Sequence, residues 1–136
     1  MKGYVANIED LTIKNNYFRE VLFTSKNLQL VIMSLLPNED IGAEVHHLDQ
    51  FIRVEAGTGK AILDGEEHDV ADGSVVIVPA GTNHNIVNTS ASEPLKLYTV
   101  YAPQDHKEGT VHKTKADALA DTGDAFDGAL SEGAHV

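Results

Sequence analysis

The chain has 136 residues, 42% of them hydrophobic and 23% charged, and a formal net charge of -11. This length allows one domain with a single core. The acidic balance argues against nucleic acid or an anionic membrane surface as a partner. No apolar run approaches the ~18 residues that a membrane span needs.

The N-terminal stretch and the cysteine content bear on the compartment. MKGYVANIEDLTIK carries acidic residues and lacks an apolar segment followed by a small-residue cleavage site, so we predict no secretory signal there. Without cysteine, the chain has neither disulfides nor thiolate ligands. Both observations favour a cytoplasmic protein.

Short apolar stretches separated by turn residues follow one another from residue 18 to residue 103. They are rich in Val, Ile, Leu, Phe and Tyr, and turn signals recur about every 8–12 residues. We predict strands, in chain order, in FREVLFTS, LQLVIMSLL, AEVHH, QFIRVEAG, GKAILDG, EEHDVADG, SVVIVP, HNIVNTS and PLKLYTVYAP. No sustained helical periodicity precedes residue 115, so the sequence predicts an all-β sandwich or barrel.

Three of these stretches say more about the fold. Asp64-Gly65 suits a two-residue hairpin turn, because glycine tolerates a positive φ. The apolar residues of VVIVP, residues 75–79, are continuous, which is typical of a strand covered on both faces. A second subunit can supply that cover, so we expect a homodimer, with a well-covered monomer as the alternative. In KLYTVY, Tyr98 and Tyr101 fall on opposite faces, and the pattern does not decide which one faces inwards.

The C-terminal segment differs in composition from the rest. Residues 116–136 are acidic, rich in Ala and Gly, and free of Lys and Arg. We expect a folded domain over residues 1–115, with its core motifs at 42–88, followed by a flexible, disordered or loosely docked tail. A short helix around residues 116–120 fits the pattern. His106 and His112 can fold over the barrel mouth, but we favour a solvated position for both.

Polar side chains are concentrated in the stretch EVHHLDQ. Because strand side chains alternate between faces, Glu44 and His46 share one face and His47 points to the other. A bulge at that place would exchange the two histidines. Gln50 begins the next strand and can turn back towards Glu44, and His84 can enter the same cavity after the turn PAGTN.

These side chains suit a metal site. Two imidazoles and one carboxylate, from Glu44, His46 and His84, would leave positions open on an Fe, Mn, Zn, Ni or Co ion. Gln50 would be a neutral fourth ligand or a hydrogen-bond donor that orients Glu44. The alternative reading for each residue is an ordinary hydrogen-bonded or surface side chain. We therefore predict a divalent transition-metal site.

At this point the sequence resembles the cupins. Their second motif, G-x5-P-x-G-x2-H-x3-N, is matched at every fixed position by Gly73, Pro79, Gly81, His84 and Asn88. The resemblance covers roughly residues 28–103. It implies a double-stranded β-helix, a jelly-roll-like barrel of six to eight strands with the metal site in its mouth.

The first cupin motif, G-x5-H-x-H-x3-4-E-x6-G, is matched only in part. With His46 as the second histidine, Glu44 stands in place of the first and Gln50 in place of the glutamate, while Gly57 is the closing glycine. The ligand set keeps one negative charge, but the charge lies at the position of the first histidine instead of at that of the glutamate. This E-x-H-x3-Q variant resembles small single-domain cupins described as mannose-6-phosphate isomerase-like.

Three functions follow from such a site. The leading one is a metal-dependent isomerase of a sugar or sugar phosphate, in which the ion polarises a hydroxy-carbonyl unit and His47 or an unligated Glu44 is the base. No clear basic pocket for a phosphate is visible, which counts against the sugar phosphate. The alternatives are a non-haem iron oxygenase and a non-catalytic sensor that binds a small molecule such as a carboxylate.

Overall fold

A computed structural model describes residues 3–133 of the chain. They form nine strands and two short helices. In chain order these are α1 (Ile8–Lys14), β1 (Arg19–Thr24), β2 (Gln29–Leu35), β3 (Asp49–Ala56), β4 (Thr58–Leu63), β5 (Glu66–Ala71), β6 (Val75–Val78), β7 (His84–Asn88), β8 (Leu95–Ala102), β9 (Val111–His112) and α2 (Lys115–Ala120).

The strands form two antiparallel sheets. One has the order β6-β3-β8-β2-β1-β9, and the other has the order β5-β4-β7. Apolar side chains from both sheets pack into one core, which includes Met33, Leu35, Ile52, Val54, Ile86 and Leu97. The predicted all-β class is confirmed. None of the helices formed by residues 3–133 is long and apolar enough to span a membrane.

Eight of the predicted stretches form β1–β8, and the differences lie in short elements. AEVHH is not a strand: it pairs only through an isolated bridge between Glu44 and His84. The helix α1 was not predicted, because its seven residues are too few to show a helical period. Its start is nevertheless marked locally, since the Asn7 side chain accepts a hydrogen bond from the Asp10 backbone.

Two tight connections require glycine. Asp64 and Gly65 have φ values of 48° and 83°, and two positive angles are what a type I′ hairpin turn needs, which confirms the predicted hairpin between β4 and β5. Gly57, between β3 and β4, has a φ of 95°, and a Cβ placed on it would lie 2.4 Å from the carbonyl oxygen of Pro94. A larger residue cannot fit there without moving β8.

Asn88 fastens the end of β7 to two neighbouring turns. Its Nδ2 donates to the carbonyl oxygens of Leu35, Leu36 and Glu93, and its Oδ1 accepts from the Ser90 backbone N–H. The side chain is fully buried. It therefore ties together backbone groups of three segments, which include the buried carbonyl of Leu35.

The strand β6 lies at one edge of the larger sheet, where it pairs with β3. Val76 and Val78 are buried, but Val75 and Ile77 are 54% and 55% exposed. The prediction that this strand is covered on both faces is therefore wrong for the single chain. Its outer face is apolar and open.

The C-terminal segment contacts the barrel at several points. α2 begins with a capping box between Thr114 and Asp117, which confirms the predicted short helix. Farther on, Ser131 exchanges two hydrogen bonds with the backbone of Thr24, at 2.8 and 2.9 Å. The division of the chain at residue 115 stays a prediction.

The prediction that His106 and His112 are solvated is wrong. Their exposed fractions are 7% and 3%. Asp124 lies 3.0 Å from Nδ1 of His106, and Asp121 lies 2.9 Å from Nε2 of His112. The C-terminal segment thus buries both imidazoles and gives each a carboxylate partner.

Candidate metal centre and ligand cavity

A short backbone bridge brings Glu44 and His84 together. The N–H of each donates to the carbonyl oxygen of the other, both at 2.9 Å. Residues paired in this way on antiparallel chains place their side chains on the same face. Farther along, the Gly81 N–H donates to the carbonyl of His46 at 2.8 Å, which keeps the two segments side by side.

His46 completes a cluster of three potential ligands. It lies two residues beyond Glu44, and its Nε2 is 2.7 Å from Oε2 of that carboxylate. One ligand atom each from Glu44, His46 and His84 lies within 4.8 Å of the others. Three such atoms at this separation can hold one metal ion.

The charges of this cluster favour an ionised carboxylate. Burial raises the pKa of Glu44, but the contact with His46 and the nearby charge of Arg19 outweigh it, so the pKa of Glu44 is lowered. The same contact, together with Asp105, raises the pKa of His46 against the effect of burial. An imidazole ligates a metal ion through a nitrogen that carries no proton, so metal binding at His46 would compete with its contact to Glu44.

The hydrogen bonds of the two histidines leave ring nitrogens available. Nδ1 of His84 lies 3.0 Å from the carbonyl oxygen of Thr82, so it carries the proton and leaves Nε2 as the lone-pair nitrogen. Nε2 of His46 is buried and makes no well-aligned hydrogen bond, despite its closeness to Glu44. Both arrangements fit metal ligation.

Gln50 adds an oxygen that lacks a partner. Its side chain is 5% exposed, and its Nε2 donates to Oγ1 of Thr99 at 3.0 Å. Its Oε1 is buried and has no hydrogen-bond partner within the described part of the chain, residues 3–133. Gln50, Glu44 and His84 line the same small cavity of about 10 Å³, the space of one water-sized sphere. An ion in that cavity would satisfy the amide oxygen.

His47, the other histidine of the stretch, is exposed. It is not among the residues that line the small cavity or the larger one next to it. The structure therefore brings together Glu44, His46, His84 and Gln50, and leaves His47 outside.

A cavity of about 270 Å³ opens beside Glu44 and His46. Its walls come from the start of β1, the segment after β8, and the C-terminal segment. They include several ionisable side chains, of which the sequence connected only His106 with the barrel mouth, and then as the less favoured reading: Arg19, Asp105, His106, Lys115 and Asp124. These residues are far apart along the chain and carry no shared motif, so only the fold reveals the group.

Three of the side chains beside this cavity form a buried chain of polar contacts. Asp124 Oδ2 lies 3.0 Å from Nδ1 of His106, whose Nε2 lies 3.4 Å from the hydroxyl of Tyr101. The Tyr101 ring meets the His46 ring edge-on at 6.1 Å. Burial lowers the pKa of His106 and raises that of Tyr101, so the imidazole is neutral and the phenol protonated at neutral pH.

Comparison with known proteins gives the family. The cupin domain pattern matches residues 31–101. The chain is also 49% identical to YrkC, an uncharacterized protein of Bacillus subtilis, over 88% of this chain and 67% of that protein. This chain belongs to the cupin family.

Two further proteins are similar over most of the chain. An uncharacterized protein of Acanthamoeba polyphaga mimivirus is 46% identical over 79% of this chain and 70% of that protein. The crystal structure of BH2720 from Bacillus halodurans has a TM-score of 0.84 at 47% identity, covering 87% of this chain and 94% of that one. The predicted double-stranded β-helix is therefore confirmed.

This sequence differs from the first cupin motif at the leading glycine as well as at the ligand positions. Asn38 stands where the leading glycine is expected, and its φ is 63°. Asparagine is among the few residues that tolerate this left-handed conformation. A glycine would adopt the same backbone conformation at this position without strain.

Proposed function

We propose that this cupin is a divalent-metal-dependent enzyme acting on a small polar molecule. The observation that supports it is the convergence of Glu44, His46 and His84, two of which, Glu44 and His46, also line a cavity large enough for such a molecule. Gln50 would be a fourth ligand or would hold the site in place through its unpartnered oxygen. A bound Fe, Mn, Zn, Ni or Co ion would supply Lewis-acid polarisation of a carbonyl or hydroxyl.

The leading reaction is isomerisation of a hydroxy-carbonyl compound such as a sugar, as in mannose-6-phosphate isomerase-like cupins. Such a reaction needs a base that removes a proton from one carbon and returns it to the neighbouring carbon. His106 suits that task better than His47, because it faces the cavity and Asp124 orients its ring. A neutral imidazole whose Nδ1–H is held by Asp124 has its lone pair on Nε2, which lies 3.4 Å from the Tyr101 hydroxyl and 3.3 Å from Oδ2 of Asp105. Taking a substrate proton at Nε2 would replace the Tyr101 contact and place the new N–H beside the Asp105 carboxylate.

Glu44 is the other candidate base. Its carboxylate lies at the cavity, and its lowered pKa keeps it ionised. A role as a metal ligand would occupy one of its oxygens and leave the second free. A charge-neutral variant at each position separates the two candidates.

A second candidate function is an iron-dependent oxygenase. The specific observation in its favour is the set of two histidines and one carboxylate, which suits non-haem Fe(II) and leaves positions for oxygen and substrate. A sensor that binds a small molecule without turnover uses the same cavity and needs no base.

One experiment distinguishes these functions. The protein, reconstituted with each metal in turn, is incubated in D₂O with a panel of aldoses, ketoses and their phosphates, and proton NMR follows exchange at the carbon next to the carbonyl. We expect exchange in the wild type and its loss in His106→Gln, with His68→Gln, an exposed histidine, as the matched control. Oxygen uptake with iron alone would favour the oxygenase, and neither activity with any metal would contradict an enzyme of either kind.

We also propose that the protein is a homodimer that works in the reducing cytoplasm. The open apolar face of β6 supports the dimer, because Val75 and Ile77 remain exposed in the single chain. The lack of cysteine supports the compartment.

A further inference from the structure

We propose that Arg19 forms a subsite for an oxyanion, so that the substrate of the proposed enzyme carries a carboxylate or phosphate group. That the bound anion belongs to a substrate rests on the proposed function. The anion site itself is supported by separate observations. It concerns the one arginine that lines the 270 Å³ cavity, at the first position of β1.

Arg19 is a buried charge without a carboxylate partner. Its exposed fraction is 6%, and its Nε is buried with no hydrogen-bond partner. None of the ion pairs found among residues 3–133 includes it, whereas Arg53, the other arginine of the chain, lies 3.2 Å from Glu55. Glu44 is near enough for Arg19 to lower its pKa, but no carboxylate of residues 3–133 makes a direct ion pair with the guanidinium. A buried guanidinium is costly unless an anion pairs with it directly, so this position suits an anionic ligand.

The contacts of Arg19 hold its side chain without neutralising it. Its Nη1 lies 3.3 Å from Nδ1 of His112, the residue opposite it on β9. Since Nδ1 must accept that bond, Nε2 of His112 carries the proton and donates to Asp121 at 2.9 Å. On the other side, the guanidinium lies 5.2 Å from the Phe18 ring. The His112 nitrogen and the Phe18 ring therefore position the guanidinium of Arg19 without neutralising its charge, which stays available to a ligand.

The other basic side chain of the cavity does not compete for this role. Lys115 also lines the wall, but its Nζ lies 2.5 Å from Oδ1 of Asp40. Among residues 3–133, Arg19 is thus the basic side chain of the cavity wall that has no direct ion pair, and it lies beside the cluster of Glu44 and His46. A small molecule bound at that cluster through a hydroxy-carbonyl unit would place its anionic group against the guanidinium, which binds carboxylate and phosphate in a forked geometry.

The test uses the two arginines of the chain as site and control. Inorganic phosphate and malonate are titrated separately, by calorimetry, into metal-reconstituted wild type, Arg19→Gln, Arg53→Gln and His84→Ala. We expect wild type and Arg53→Gln to bind equally, and Arg19→Gln to bind at least about tenfold more weakly, as charged hydrogen bonds of this kind require. The anion that binds more tightly identifies the substrate group.

His84→Ala separates this proposal from the metal site. We expect it to lose metal and still show the Arg19-dependent part of anion binding. If wild type holds no metal but binds phosphate or malonate through Arg19, the metal function fails and the anion site stands. Equal binding by wild type and Arg19→Gln, or no binding of either anion by wild type, would overturn the anion site.

A second measurement needs no change at position 19. With only two arginines, the ¹H–¹⁵N spectrum has two side-chain Nε–H resonances, and the Arg53→Gln variant assigns them. We expect the Arg19 resonance to shift on addition of the tighter anion while that of Arg53 stays in place. A stationary Arg19 resonance would overturn the proposal even if Arg19→Gln fails to fold.

Discussion

Gln50 gives this cupin a neutral side chain where the first motif usually has a glutamate. The Thr99 hydroxyl accepts a hydrogen bond from Gln50, and a hydroxyl can also donate one. A carboxylate at position 50 can therefore keep the contact with Thr99. We expect Gln50→Glu to bind a divalent metal about tenfold more tightly, because the ligand gains a charge. Metal affinity measured by competition with a chelator tests this.

The metal-free form of this variant should change in the opposite direction. A second carboxylate beside Glu44 is buried without compensation, so we expect a lower Tm for the metal-free Gln50→Glu protein. Asn27→Asp, an exposed amide outside both cavities, is the control for the change from amide to carboxylate. An unchanged metal affinity in Gln50→Glu would show that position 50 does not face the ion.

At the scale of elements, the end of β7 depends on Asn88. Asn88→Ala removes four hydrogen bonds and leaves three carbonyl groups, that of Leu35 buried and those of Leu36 and Glu93 partly buried, without that donor. We expect a loss of about 3 kcal/mol in the free energy of unfolding, measured in urea. Asn83→Ala, in the exposed loop before β7, is the control and should cost little. Equal effects of the two variants would contradict the structural role of Asn88.

The start of α2 is tied to the barrel by a pH-dependent contact. Hydrogen bonds from Lys115 and then Asn85 lower the pKa of Asp40. A lowered pKa in the folded state means that this contribution is complete above the ordinary value of 3.8 and is lost as the pH falls through the folded value. We expect Asp40→Asn to cost about 0.5 kcal/mol at pH 7, since the pair is partly exposed.

Urea unfolding of wild type and Asp40→Asn at pH 7 and near pH 2.5 checks the sign. The difference between the two proteins should shrink at the lower pH, where Asp40 gains a proton in wild type. A difference that stays constant or grows as the pH falls would contradict the assignment.

The elements that could be predicted are those with a local pattern. β1–β8 each combine apolar residues with a turn signal, and Asp64-Gly65 specifies its hairpin through backbone angles alone. α1 is too short for a helical period, and β9 has only two residues. Short elements depend on their neighbours in the fold, which one sequence does not show.

The residues of the candidate site also divide into those that the sequence predicts and those that it does not. Glu44, His46 and His84 stand out because ligand-type residues recur at a spacing that strand alternation can interpret. Arg19 and His106 carry no such spacing, and their burial depends on a C-terminal segment whose composition resembles that of a disordered tail. Side chains that meet only through long-range contacts need the structure.

At the scale of the whole molecule, the outer face of β6 predicts the oligomeric state. We expect a dimer in solution that buries Val75 and Ile77, and Ile77→Lys should convert it to a monomer because a charge at the interface would be desolvated. Light scattering coupled to size-exclusion chromatography measures both. Glu67→Lys, on β5, is the control for added charge. A monomeric wild type would contradict the dimer.

The central claim is that this cupin holds one divalent metal ion through Glu44, His46 and His84. Elemental analysis of protein purified without an affinity tag, for wild type beside His46→Ala, His84→Ala and the exposed control His47→Ala, tests it most directly. We predict near-stoichiometric transition metal in wild type and His47→Ala, and its loss in the other two variants. Wild-type protein that holds no metal even after reconstitution would contradict the claim.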